Sequence, residues 1–176
     1  QWLAAHGHHA WMLADDAALG EVAFAAGGLR DALPAGSIHM VMGTHGVAIV
    51  RELAAAHSTA GQTLVAAPVL GRPDMAKAGQ LGIVVAGPAA AVQLCRPLLD
   101  VVGRRVFEAG TACEAATSIK LANNFMLGCA VEAMGEAFSL VLKNYQDCVK
   151  VYVAERKATV EANNAAIRAA VEEHNA

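Results

Sequence analysis

Proline and glycine are so unevenly spread that they divide the chain in two. Every proline lies at or before Pro97, and after Gly110 the only glycines are Gly128 and Gly135. The two residue types that most often end helices and strands therefore punctuate the first part and almost vanish from the second. Such a chain folds into several short elements followed by one long helical stretch. The division expected is a partial α/β domain over 1–111, a long helix over 112–143 and a polar, helical tail over 144–176.

Within the punctuated part, short apolar runs alternate with helical patterns. His9–Leu13, Ser37–Met42, Thr63–Ala67, Leu81–Ala86 and Arg105–Glu108 read as strands. Asp15-Asp16 supplies a cap for a helix over Ala17–Ala26, stopped by Gly27-Gly28. A second helix covers Val47–Ser58 and ends near Gly61, and Pro88 opens a third where a missing N–H costs nothing. Strands alternating with helices of about ten to fifteen residues indicate α/β layering around a largely parallel sheet. The short, turn-rich connection from Pro68 to Gln80 suits antiparallel neighbours.

From Ala112 to Lys143, Ile119, Ala122, Met126, Cys129, Ala133, Ala137 and Leu140 recur at three- and four-residue steps. Ala116, Phe125, Ala130, Met134, Phe138 and Val141 extend the apolar surface nearly all round. A helix of that kind is buried against several neighbours, and a partner subunit is the expected one. Beyond Asn144 only Val153, Val160 and Ile167 form a thin apolar stripe.

Composition narrows the function classes. The chain is 56% hydrophobic and 16% charged, so apolar material suffices for a core and disorder is excluded for most of it. Net charge is −3 with the basic residues scattered, which leaves no electrostatic footprint for nucleic acid. The longest apolar runs are broken before the roughly eighteen residues a membrane span needs, and no basic-then-apolar leader opens the sequence. A soluble cytoplasmic protein is the default. Cys95, Cys113, Cys129 and Cys148 are far apart and read as small buried or half-buried apolar residues in a reducing compartment. His6, His8 and His9 are close together, but near a terminus they read as exposed and untethered, so no metal site is expected.

Lys120 and Asn124 are one helical turn apart and project from one face of the long helix. A lysine on a mostly apolar helix beside Asn123 and Asn124 can have a lowered pKa and move protons near neutral pH. The competing reading has Lys120 reaching out to solvent and the asparagines satisfying backbone ends. His45, beside Thr44, reads as an incidental loop residue, and Asp15-Asp16 as capping groups.

At this point the residues match a pattern. The run Lys120-Leu121-Ala122-Asn123-Asn124 resembles the Lys-x-x-Asn-Asn signature of the β-hydroxyacid dehydrogenases, the family of 3-hydroxyisobutyrate dehydrogenase. Upstream, Ala66-Ala67-Pro68-Val69-Leu70-Gly71-Arg72-Pro73, Ala78-Gly79-Gln80-Leu81 and Val84-Val85-Ala86-Gly87-Pro88 resemble its substrate-binding block. Asp15-Asp16-Ala17 and Met42-Gly43-Thr44 match its cofactor-side loops, so the likeness runs from about residue 9 to 143 with its blocks in order. Imine reductases share the architecture but usually replace the lysine, so Lys120 favours the hydroxyacid branch.

The resemblance implies an α/β fold, an incomplete Rossmann-like and largely parallel sheet followed by a long interdomain-type α-helix. It implies an NAD or NADP cofactor, a small-molecule substrate and a homodimer, with neither nucleic acid nor membrane as partner. By the same likeness, Lys120 is the general acid or base and Asn124 bonds the substrate hydroxyl. Gly71, Arg72 and Asn123 line the substrate pocket, and Leu13, Ala14 and Thr44 face the cofactor. The implied activity is reduction of a small carbonyl or oxidation of a hydroxyacid.

Departures are specific. The family's serine before the threonine is Gly43, its Ser-Gly-Gly turn reads Leu70-Gly71-Arg72, and the glycines before its lysine are Glu114 and Ala116. Arg72 either replaces the lost hydroxyl contacts by bidentate pairing with a carboxylate or marks a different substrate. No Gly-x-Gly-x-x-Gly loop occurs, and the polar tail resembles none of the family's second domain, so the chain reads as truncated or rearranged. The alternative to an oxidoreductase is a non-catalytic α/β oligomerisation module.

Overall fold

The structure, a computed structural model, describes residues 8–174. Its contacts separate the chain into a unit over residues 1–125 and a second over 126–176, and the long helix contributes to both.

Among the described residues, the first unit is built on six strands. β1 (His9–Trp11), β2 (Ile38–Val41) and β3 (Thr63–Ala66) pair in parallel in that order. β4 (Val69–Leu70) pairs antiparallel with β5 (Leu81–Val85), which pairs parallel with β6 (Gly103–Glu108). An antiparallel bridge between Ala66 and Ala86 joins the two groups, with amide–carbonyl distances of 2.9 and 2.8 Å. β3 and β4 therefore run in one direction past β5, and the antiparallel neighbours expected from the short connection are present. β4 itself has no sequence signal, because two residues carry no periodicity.

Local chemistry sets the helix ends. α1 (Asp16–Phe24) begins at an extended Asp15 whose carboxylate accepts the Ala18 N–H at 2.8 Å, and Asp16 adds negative charge to the first turn. A single turn, α2 (Leu29–Ala32), and then α3 (Val47–Thr59) follow. Another short turn, α4 (Pro73–Lys77), starts with proline at a position that needs no N–H. α5 (Ala89–Val102) runs straight into β6. α6 is continuous from Cys113 to His174. The sequence turns polar at Asn144, yet no glycine or proline follows Gly135 to break the helix.

Strands buried on both faces explain the unbroken apolar runs. Val41, Leu64, Ala66, Val84 and Ala86 face one core with Leu19 of α1, Val50 and Leu53 of α3, and Cys113 and Ala116 of α6. Ile38, Met40, Val65, Ile83 and Val85 face the other with Val92, Cys95 and Leu99 of α5. The first turn of α6 is held further by Cys113 Sγ on the Leu64 carbonyl at 3.3 Å and by Glu114 with Arg51 at 3.3 Å.

A polar chain runs through the first core. Gln62 Nε2 donates to the carbonyls of Arg30 and Leu33 at 2.9 and 2.6 Å, so Gln62 Oε1 is the end that meets His57 Nδ1 at 2.5 Å. A carbonyl oxygen only accepts, so His57 Nδ1 carries hydrogen and the neutral ring offers Nε2 as acceptor. His39 Nδ1 lies 2.8 Å from that nitrogen and donates to it. Both rings are fully buried, and His39 Nε2 has no partner. Burial, reinforced by His57, His9 and His45, takes the His39 pKa down to about 3, and burial also lowers that of His57.

Three expectations are corrected here. His8 and His9 are half-buried, and His8 Nδ1 accepts the Ile38 N–H at 3.2 Å; His6 lies outside the described residues. Cys95 and Cys113 are buried, whereas Cys129 and Cys148 are exposed on α6. Finally, α6 contains an 18-residue window long and apolar enough, by length and composition, to cross a membrane, and none of it is buried. Single charges and glycines interrupt a strict apolar run, but at most two charged residues fall inside that window.

Candidate active site

Three loops leave the same edge of the sheet. β1, β2 and the β3–β4 course run in one direction, so Leu13 and Ala14, Thr44, and Gly71 with Arg72 follow their carboxyl ends. Open α/β sheets bind ligands at such ends. Leu13 is half-buried and packs against the first core, while Ala14, Thr44, Gly71 and Arg72 are exposed.

The first two loops are tied together. Met42 donates its N–H to the Trp11 carbonyl at 2.9 Å. Asp16 reaches across from α1, and both its carboxylate oxygens accept the Gly46 N–H, at 3.0 and 3.1 Å. The same carboxylate meets His45 Nδ1 at 3.1 Å. Asp16 is therefore more than a capping group of its own helix, and it fills the N-terminus of α3 with negative charge. His45 is buried, with only 1% of its side chain exposed, and its Nε2 has no partner. This corrects the incidental reading of His45. The contact closes over 29 positions, and only its place beside Thr44 and Gly43 pointed to it.

Gly71 has a φ of +141°, a conformation that favours glycine, and a side chain there would meet Leu81 Cδ2 at 2.9 Å. Arg72 extends into solvent with 86% of its side chain exposed, 3.7 Å from Asp74, so its guanidinium is free to swing towards a ligand anion.

On α6 the candidate face is graded by burial. Ala116 and Thr117 are buried, Lys120 and Asn123 are half-buried, and Asn124 is exposed. Lys120 follows Ala116 by one turn and precedes Asn124 by one turn, so the three share a side of the helix. Burial lowers the Lys120 pKa below the usual lysine range, which favours the neutral amine. These side chains line neither of two clefts, of about 270 and 250 Å³, at the other end of β5 and β6 and at the start of β3. Among the described residues, no group of three or more His, Cys, Asp or Glu is placed to hold a metal ion.

Between the first two loops lies the buried His45 Nε2, unpaired among the described residues, and the N-terminus of α3 is already neutralised by Asp16.

Comparison with known proteins bears on the fold and the family. Residues 5–110 match the family described as the NAD binding domain of 6-phosphogluconate dehydrogenase. The uncharacterised oxidoreductase YfjR of Bacillus subtilis is 42% identical over 132 residues, covering 75% of this chain and 46% of that protein. A 3-hydroxyisobutyrate dehydrogenase of Pseudomonas aeruginosa is 39% identical over 97 residues, covering 55% of this chain and 32% of that protein. The crystal structure of a 3-hydroxyisobutyrate dehydrogenase from Salmonella typhimurium superposes with a TM-score of 0.70 at 26% identity, over 78% of this chain and 47% of that one. A structure of Psf3 in complex with NADP+ gives 0.69 at 27% identity, over 78% and 50%. The chain spans half or less of each of these proteins.

Proposed function

The chain belongs to the NAD-binding-domain family of 6-phosphogluconate dehydrogenase, and on that footing we propose that it forms the cofactor-side part of a hydroxyacid dehydrogenase in which Lys120 is the general acid and base. When bound, the nicotinamide supplies or accepts the hydride. Lys120 Nζ holds the proton that passes to the substrate oxygen on reduction and takes it back on oxidation. Asn124 hydrogen-bonds the same oxygen, and Asn123, Gly71 and Arg72 bound the substrate, with Arg72 pairing its carboxylate. Leu13, Ala14 and Thr44 line the cofactor side.

The observation that carries this reading is the half-buried state of Lys120. Its amine is desolvated without a carboxylate partner, on the face that also bears Asn124. A structural lysine would keep its charge in water, whereas a proton-transfer lysine gains from a pKa drawn towards neutrality. The four free thiols support a reducing, cytoplasmic setting. The apolar surface of α6, with Phe125, Met126 and Phe138 all more than 60% exposed, supports a two-fold homodimer.

The test is Lys120→Met in the full-length protein. Turnover falls on the order of a hundred- to ten-thousand-fold while nucleotide affinity stays within about twofold. Near-normal turnover in that variant removes Lys120 from the mechanism.

A further inference from the structure

We propose that the cleft at the amino ends of β5 and β6 is an anion site, built from Arg104, Arg105, Gln80 and Phe107, and that it takes a phosphate monoester carrying a ring. The cleft has a volume of about 270 Å³, and Leu81 and Gly82 complete its lining. A ligand can reach it. Gln80, Arg104 and Arg105 are exposed, and Phe107 leaves half of its surface in solvent.

The backbone brings the two arginines together. In a regular strand consecutive side chains point to opposite faces, so neighbours such as Arg104 and Arg105 cannot serve one cleft. The ladder here pairs Leu81 with Gly103 and then Gly82 with Arg105, which leaves Arg104 as an extra residue in β6. A bulge of that kind re-aims a side chain, and both arginines line the same cleft. Phe107, two positions beyond Arg105, shares its face of the strand. Opposite Arg105 stands Gly82, which has no side chain to fill the space between them.

Charge selects the ligand. Among the described residues, neither arginine lies within ion-pair distance of a carboxylate, while Glu108 on the same strand is engaged by Arg96 at 3.5 Å. Charges and bulges also occur on edge strands, where they prevent pairing with other chains. That purpose calls for neither two guanidiniums in one cleft nor an amide and an aromatic wall beside them. One guanidinium fork satisfies a carboxylate, whereas two forks suit the three terminal oxygens and double charge of a phosphate monoester. Gln80 adds an amide donor, and the ring of Phe107 offers an apolar face to a ring on the ligand.

The probe is phenyl phosphate, titrated calorimetrically into the full-length protein at constant ionic strength, beside benzoate and inorganic phosphate. Wild type binds phenyl phosphate saturably in the low-millimolar range, and benzoate about tenfold more weakly for want of the second charge-assisted pairing. Arg104→Gln and Arg105→Gln each weaken phenyl phosphate about tenfold. Phe107→Ala weakens phenyl phosphate and leaves inorganic phosphate unchanged. Arg72→Gln, in the candidate substrate loop, keeps the wild-type affinity for phenyl phosphate. Absence of saturable binding, arginine variants as tight as wild type, or a loss in Arg72→Gln instead of theirs overturns the proposal. Both arginines are exposed, so the urea midpoint stays at its wild-type value in either variant, and an affinity loss that comes only with a lowered midpoint also counts against the cleft. Neither Lys120 nor a nucleotide enters the titration, so its outcome is separate from that of the dehydrogenase reading.

Discussion

The buried His39–His57–Gln62 chain makes stability depend on pH, and the size of the effect follows from the structure. In the unfolded chain His39 titrates at its ordinary 6.5, and in the fold at about 3. Between those values the unfolded state binds a proton that the native state refuses, so stability is full above pH 6.5 and falls as pH drops towards 3. At pH 5 the difference amounts to about 2 kcal/mol, at 1.36 kcal/mol for each pH unit below the unfolded value. The groups that bear on His39 are His57 from α3, His9 from β1 and His45, so no carboxylate among them compensates the added charge. His57, also lowered by burial, acts in the same direction. The perturbation is His39→Gln, which keeps a donor for His57 Nε2 and removes the titration. Urea unfolding followed by circular dichroism at pH 7, 6 and 5 reads the outcome. Wild type loses about 2 kcal/mol more than the variant over that range. Equal losses in the two proteins, or a His39 ring that titrates near 6.5 by NMR, refute the reasoning.

Two further outcomes are expected. Met126→Glu and Phe138→Glu on the apolar stretch of α6 shift the full-length protein from dimer to monomer in sedimentation velocity, and an unchanged sedimentation coefficient counts against that interface. Cys95, whose thiol burial pushes up to about 11, and Cys113 resist Ellman's reagent at pH 8 until the protein is unfolded; rapid labelling of either in the native state shows the core to be looser than described.

The parallel strands and their helices were legible because each apolar run is bounded by glycine, proline or a capping carboxylate. Val47 to Thr59 follows the expected helix to within a residue, and Ala89 to Val102 begins directly after Pro88 as expected, for that reason. What escaped was set by contacts between distant positions. Nothing in Asp16 alone says that it spans to Gly46, and a lone His39 inside an apolar strand reads as a mismatch until Gln62 and His57 are seen to orient it. On the candidate face, spacing alone aligned Lys120 with Asn124, but the graded burial that desolvates Lys120 depends on Ala116 and Thr117 packing into the core. At Asn144 the composition changes while the helix runs on, because polarity without glycine or proline does not end one.

The anchoring of α6 has a consequence for insertions and deletions. Cys113 and Ala116 fix the start of the helix in azimuth, and the residues up to Phe125 inherit their direction from them at about 100° and 1.5 Å per step. Loss of Ser118 or Ile119, the exposed residues between Thr117 and Lys120, would swing Lys120 and Asn124 together by about 100° while leaving the buried first turn of α6 in place. The same loss beyond Phe125 would leave that face untouched. Length variation along this helix thus weighs most in the few residues that carry phase from the core to the chemistry.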